Sequence, residues 1–305
     1  MGETQIRPLT REDFEAVLAL DARIAGQLRR GYFEKRLAAA VRHPKRHLQL
    51  AIEDGSRLRG FLLARGADGE YGGSDRAVVL ETIGVDPEVQ RRGLGRRMLD
   101  GLAELARTRG ARALRTQADW RDHSLLRLLD RGGFRVAPRQ VLERAVHRMP
   151  LPATDEEIEA PPPKVRPLRA EDFDWVTRVD QRITGRNRAD YLQRKFDEVL
   201  QESAIALSQV VEDDGFVVAF AMARIDPGDF GRAQPTASLD TIGVDPGFSG
   251  KGYARAVLTQ MIENLAAIHV ERLETEVAGE DAALRGFLHA FGFRPAQRLP
   301  FERAP

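Results

Sequence analysis

Two acidic residues stand inside otherwise apolar stretches: Glu81 in Leu80-Glu81-Thr82-Ile83 and Asp240 in Leu239-Asp240-Thr241-Ile242. A partly desolvated carboxylate there has a raised pKa and suits the role of general base toward an attacking nucleophile. The competing reading is a carboxylate on a solvent-facing strand side, or one paired with an arginine. Downstream of Glu81 lies the loop Gln90-Arg91-Arg92-Gly93-Leu94-Gly95, followed by Arg96. Downstream of Asp240 lies Ser249-Gly250-Lys251-Gly252-Tyr253-Ala254, followed by Arg255. Glycines let consecutive N–H groups turn toward one point, and a helix starting there adds the positive end of its dipole. Such a loop suits a pyrophosphate. No Gly-Lys-Ser/Thr ends either loop and the Gly-x-Gly-x-x-Gly fingerprint is missing, which makes ATP and NAD poor candidates.

Composition narrows the chemistry further. With no cysteine there is no disulfide, thiolate nucleophile or Cys-ligated metal, and the six His show no metal-ligand spacing, so no metal is expected. No apolar run reaches the roughly eighteen residues of a membrane span, and Met1 to Leu20 carries no cleavable signal pattern. A soluble, cytoplasmic protein without membrane contact is expected. The net charge of +1 hides an asymmetry: residues 1–149 hold 29 Arg and Lys against 20 Asp and Glu, residues 150–305 hold 18 against 26. Opposite signs could help the halves dock or draw an anionic ligand to the first, but compositional drift is the preferred account. Basic residues form no dense patch with interleaved aromatics, so no nucleic-acid partner is expected.

These candidates sit in a duplicated frame. Ile6-Arg7-Pro8-Leu9 with Glu12-Asp13-Phe14 returns 159 residues later as Val165-Arg166-Pro167-Leu168 with Glu171-Asp172-Phe173. The same offset lays Leu80 to Pro87 on Leu239 to Pro246, differing only at Glu81/Asp240, and Gly133-Phe134 on Gly292-Phe293. A period this long is a duplicated domain: 1–149 and 165–305, joined by a polar, proline-containing linker at 150–164. Within the first copy a strand at Gln5 to Leu9 precedes helical spacing at Glu12 to Leu20 and Tyr32 to Val41. Leu48 to Glu53 and Leu58 to Arg65 form a hairpin turned at Asp54-Gly55, and Val78 to Val85 is an apolar strand. The loop then opens a helix with Leu94, Met98, Leu99, Leu102 and Leu105 on one face, closed by Gly110. Ala111 to Ala118, Ser124 to Arg131, Phe134 to Val136 and Val141 to Val146 complete a mixed α/β unit that the second copy repeats.

Strand, loop and helix together resemble the GNAT superfamily of acyl-CoA-dependent N-acyltransferases, whose loop reads Gln/Arg-x-x-Gly-x-Gly/Ala. The first copy matches at Gln90, Gly93 and Gly95; the second matches at Gly252 and Ala254 but has Ser249 in the Gln/Arg place. The resemblance covers about 140 residues per copy and implies two tandem α/β domains with mixed sheets. It implies acetyl-CoA as co-substrate, with its pyrophosphate on the backbone of Gln90, Arg91, Arg92, Gly93, Leu94, Gly95 and Arg96. In the second copy the cradle is Ser249, Gly250, Lys251, Gly252, Tyr253, Ala254 and Arg255. The pantetheine arm would pair with the splayed strand edge at Ile83, Gly84 and Val85, and at Ile242, Gly243 and Val244. The implied reaction is transfer of the acetyl group to a primary amine of a small molecule or protein by direct attack, with Glu81 and Asp240 as bases. A CoA-binding sensor or scaffold, or one active and one degenerate domain, is the alternative.

Other positions carry two readings each. The family's usual acidic Tyr falls at Leu129 and Leu288, so both copies depart from the pattern. Tyr32 and Tyr191 are substitutes or core residues. Asp122 and Asp281, at the place of a frequent Asn, accept a pantetheine amide or cap a helix. Asp21, Arg23, Asp180 and Arg182 suit acceptor recognition or structural ion pairs, and His123, without a counterpart, reads as surface. The two copies could pack as a pseudo-dimer.

Overall fold

The structure is a computed structural model that describes residues 4–72, 76–147, 163–201, 207–226 and 236–305. Most of the expected linker lies outside the described residues, and Lys164 already begins a strand.

The first half runs β1 (Thr4–Pro8), α1 (Phe14–Ala25), α2 (Arg30–Arg42), β2 (His47–Asp54), β3 (Arg57–Asp68) and β4 (Arg76–Val85), then α3 (Leu94–Thr108), β5 (Ala113–Asp119), α4 (His123–Arg131), β6 (Arg135–Val136) and β7 (Arg139–Ala145). The second half repeats it as β8 (Lys164–Pro167), α5 (Phe173–Thr184), α6 (Ala189–Gln201), β9 (Gln209–Asp213), β10 (Phe216–Asp226) and β11 (Thr236–Val244), then α7 (Tyr253–Ala267), β12 (Arg272–Ala278), α8 (Ala282–Ala290), β13 (Arg294–Pro295) and β14 (Arg298–Arg303). The expected hairpin forms with Asp54 opposite Arg57, and Gly55 takes the left-handed φ of 61° that its tight turn requires.

The strands form two mixed seven-stranded sheets, and neither comes from one half alone. The first has the order β1-β2-β3-β4-β5-β14-β6 and the second β13-β7-β12-β11-β10-β9-β8. Strand β14, from the chain's end, pairs antiparallel with β5 from Arg298 opposite Asp119 to Arg303 opposite Leu114. In return β7 pairs with β12 from Arg139 opposite Ala278 to Ala145 opposite Arg272. Residues 139–145, placed in the first domain by linear order, therefore complete the second sheet. Apolar packing follows the exchange. Phe301 is buried in the first core beside Leu129 and Phe134, and Leu142 and Val146 are buried in the second beside Leu288 and Phe293.

Helices cover both faces of each sheet. In the first half α3 buries Met98, Leu99 and Leu102 and α4 buries Leu129 on one face, while α1 and α2 bury Val17, Tyr32 and Phe33 against Phe61 and Leu63 on the other. Exchanged strands are clasped at their ends. Arg144 donates to the Phe291 carbonyl and Arg303 to the Gly132 carbonyl, so each arginine caps the Gly-Phe turn of the opposite half.

Candidate functional site

Strands β4 and β5 are parallel partners only over Ala77–Val79 and Ala113–Arg115. Beyond them the Thr116 hydroxyl donates to the Leu80 carbonyl at 2.9 Å, and then the strands part. The second half repeats this geometry: pairing covers Ala237 and Ser238 with Leu273 and Glu274, and Thr275 donates to Leu239 at 2.9 Å. Past each threonine, Ile83, Gly84 and Val85 pair with β3 on one side only, as Ile242, Gly243 and Val244 pair with β10. An open edge of this kind can accept an extended amide-bearing arm as an added strand. Gly84 serves packing here: a Cβ on it would come within 2.5 Å of the Phe61 ring, and one on Gly243 within 2.9 Å of the Phe220 ring.

The open edge leads into the cradle. Asp86 is buried after β4, accepts from the Glu88 N–H at 3.1 Å and from Arg59 at 2.9 Å, and also binds Arg23. Gln90 donates to the Val85 carbonyl at 3.2 Å and so ties the loop back to the strand. Arg91 at φ 65° and Gly93 at φ 81° are both left-handed, and Gly93 caps α3. Gly250 at φ 80° and Gly252 at φ 75° take the same conformations in the second copy. Left-handed residues alternating with one ordinary residue turn successive N–H groups inward as an anion nest, at the end of a helix whose first N–H groups have no intrahelical acceptor. A Cβ on Gly93 or Gly250 would meet nothing within 4 Å, so the space over each cradle is open. Gly95 faces the protein instead: its Cβ would lie 3.1 Å from Leu128, so the missing methyl lets α3 approach α4.

The two cradles differ in charge. Arg91, Arg92 and Arg96 are exposed around the first, with Arg96 at 3.8 Å from Asp100. In the second, Lys251 lies 3.6 Å from Asp213 and stacks over Phe248 at 4.8 Å. The Tyr253 hydroxyl also donates to Asp213, at 2.6 Å, and Arg255 stacks over Phe291 at 5.4 Å.

Glu81 and Asp240 occupy matching bulges. Thr82 and Leu80 pair with Leu63 and Ala64, leaving Glu81 as the extra residue, and Asp240 is the extra residue between Leu239 and Thr241. The bulge turns each carboxylate inward. Glu81 is 2% exposed and its Oε1 accepts from Arg65 at 2.7 Å, with Arg36 at 3.0 Å. Asp240 is 5% exposed, 2.9 Å from Lys195 and bonded to Arg224. Burial alone would raise the Asp240 pKa, but the Arg224 and Lys195 charges outweigh it and hold the carboxyl below its usual range. The expectation of a raised pKa is thereby corrected for Asp240, and the arginine-paired reading describes both residues. A charged cluster joins the halves here, since Glu198 lies 3.1 Å from Lys195, 3.6 Å from Arg224 and 3.7 Å from Arg46.

The remaining candidates separate cleanly. Leu129 and Leu288 are fully buried core residues. Tyr32 and Tyr191 are buried against α1 and α5 respectively. Asp21 pairs with Arg29 and Asp180 with Arg188 at 2.9 Å, while Arg23 binds Asp86 and Arg182 binds Asp245, so this recurring quartet is structural. Asp122 and Asp281 cap α4 and α8 by accepting from the Leu125 N–H at 2.9 Å and the Leu284 N–H at 3.0 Å. His123 is exposed.

Sequence reasoning missed the cations that hold the two acids, although the repeat carries the signal: Arg36 matches Lys195 and Arg65 matches Arg224 at the same offset. It also missed Tyr71, whose hydroxyl reaches from the first half to the base of the second half's open strands. There it donates to the Leu239 carbonyl at 2.9 Å and meets the Thr275 hydroxyl at 2.5 Å. No repeat signal marks it, because its counterpart is Phe230. Among the described residues no group of three His, Asp or Glu side chains is placed to hold a metal ion, and no helix is long and apolar enough to cross a membrane.

Comparison with known proteins agrees with this architecture. Residues 5–134 and 168–293 each match the Acetyltransferase (GNAT) family. A mycothiol acetyltransferase of Kytococcus sedentarius is 29% identical over 276 residues, covering 84% of this chain and 82% of that protein. A tandem GNAT protein from the clavulanic acid biosynthesis pathway superposes with a TM-score of 0.67 at 16% identity, over 99% of this chain and 98% of that one. A GCN5-related N-acetyltransferase from Sphaerobacter thermophilus does so with a TM-score of 0.62 at 16% identity, over 99% and 95%.

Proposed function

Because the chain belongs to the acetyltransferase (GNAT) family, we propose that it transfers the acetyl group of acetyl-CoA to a primary amine by direct attack. The observation that carries this reading is the continuous path from parted strands to left-handed cradle, present in both halves. The open edge at Ile83 to Val85 supplies backbone hydrogen bonds to the pantetheine arm, and the cradle from Gln90 to Arg96 takes the pyrophosphate. Likeness to a protein named mycothiol acetyltransferase favours a small-molecule acceptor over a protein one. Acetyl-CoA is an intracellular metabolite, which favours a cytoplasmic site of action.

In the transfer the amine nitrogen forms a bond to the thioester carbon, the oxyanion is stabilised by strand N–H groups near Val85, and the carbon–sulfur bond breaks. Glu81 and Asp240, held by two cations each, act as anchors that fix the bulge and so aim the strand edge. The amine therefore enters as the free base and releases its second proton to water, and CoA departs as the thiolate. Cofactor occupies the first half more tightly than the second. Three exposed arginines surround the first cradle, whereas Asp213 engages both Lys251 and Tyr253 in the second. The same contrast supports one active half and one that serves mainly as a structural partner.

Free thiol released from acetyl-CoA, measured across a panel of amino sugars, polyamines and amino acids, tests the reading. Turnover with at least one amine is expected. Tight acetyl-CoA binding with no transfer to any amine would favour a sensor or scaffold instead.

A further inference from the structure

A cavity of about 500 Å³ lies between the halves, at the end of the first sheet opposite its cradle. From the first half come Lys45, Arg46, Arg76 and Arg109; from the α5–α6 connection and α6 come Arg186, Arg188 and Arg194. Asp190 is the one carboxylate among its described lining residues. Some of this charge is already balanced: Arg188 pairs with Asp180 at 2.9 Å and Arg46 lies 3.7 Å from Glu198. Arg109, by contrast, donates to the backbone carbonyls of Lys45 and His47, which hold the side chain without neutralising it.

A second observation is independent of charge. Tyr191 lines the same cavity, is 6% exposed, and its hydroxyl has no hydrogen-bond partner. The hydroxyl is itself buried, as is that of its counterpart Tyr32, so Tyr191 contributes a fixed aromatic wall to the cavity. Burial, followed by the charges of Glu70 and Asp240, raises its pKa, and the phenol stays neutral. The Arg188 guanidinium stacks over its ring at 4.3 Å and fixes it in place.

We propose that this cavity binds a small phosphorylated metabolite across the junction of the halves. Guanidinium forks match phosphate oxygens in geometry as well as charge, and the volume is that of a small-molecule site. The site is distinct from both cradles. Arg76 and Val85 are the two ends of β4, a strand of ten residues, which places them about 30 Å apart. Because its walls come from both halves, a bound anion would hold the α5–α6 segment against the first sheet.

Inorganic pyrophosphate is the probe, titrated calorimetrically into the full chain saturated with CoA so that the cradles are occupied. Binding is expected, weakening as salt rises and falling by about tenfold or more in Arg76→Gln/Arg186→Gln. Both substituted side chains are exposed, so the fold should persist. Arg135→Gln, at an exposed arginine outside the cavity, should leave pyrophosphate binding unchanged. No binding to the CoA-saturated protein, or binding indifferent to the two arginine substitutions, would overturn the proposal. Citrate binding as tightly as pyrophosphate would overturn the assignment to phosphate. If CoA itself fails to bind, the proposed activity is struck, while the arginine-dependent step still reads the cavity.

Discussion

The carboxylate of Glu81 is held by two cations, which favours an anchoring role over that of a base. Two guanidinium groups within 3.0 Å, from Arg65 and Arg36, surround a carboxylate that is 2% exposed. Removing one partner from a buried ion pair typically costs about 3–5 kcal/mol, because the remaining charge stays buried without compensation. Glu81→Gln is therefore expected to lower the unfolding free energy by about that amount in denaturant titration, and to leave the shape of the pH–rate profile intact. Loss of the acid limb of that profile with stability unchanged would make Glu81 the base after all. His47 supplies a pH dependence of its own. Burial, followed by the charges of Arg36, Arg46 and Arg65, lowers its pKa to about 3 from an ordinary 6.5. The unfolded chain then binds a proton that the native protein does not, so stability is full above about pH 6.5 and declines as pH falls toward 3. Melting temperature followed from pH 7 to pH 4 should drop, and His47→Gln should flatten the slope across that range.

At the scale of elements, the strand, loop and helix from Leu80 to Leu105 were legible because their chemistry is local. Glycines at left-handed φ, a helix with one apolar face and a turn at Asp54-Gly55 each announce themselves within a few residues. Gly84 and Gly95 were visible as letters of a motif, but their packing roles depend on Phe61 and Leu128, which only the folded sheet and helix pair bring near. The two should respond differently to a methyl group. Gly84→Ala places a Cβ about 2.5 Å from a buried ring and should cost about 1–3 kcal/mol by overpacking. Gly95→Ala meets the flexible end of Leu128 at 3.1 Å, and the second half already carries Ala254 there, so its thermal shift should be small. Equal destabilisation by both would contradict these assignments. The placement of Glu81 was illegible for a similar reason: a one-residue bulge reverses which side of the strand it faces, and local alternation does not reveal where the extra residue falls.

Across the whole molecule, duplication was plain in the repeat, whereas the exchange of β7 and β14 left no trace in it. Arg139 to Ala145 and Arg298 to Arg303 occupy matching places in the two copies, so their local pattern fits either sheet equally well. Which sheet each joins is a long-range choice made by the core that Phe301 or Leu142 enters. Truncation after Gln297 would remove β14 and expose the edge of β5, one wall of the first half's open strands. The truncated chain is expected to lose acetyl-CoA binding in the first half although every residue of that cradle remains; unchanged binding would show that the exchanged strand is dispensable to the site. On the proposed reading the first half holds the cofactor more tightly, through an open cradle ringed by arginines. Calorimetric titration of acetyl-CoA into Gly93→Glu and Gly252→Glu tests it most directly, because each variant puts a side chain and a negative charge into one cradle. Loss of the tighter binding event in Gly93→Glu, with that event retained in Gly252→Glu, is the expected result; the reverse would give the tighter site to the second half.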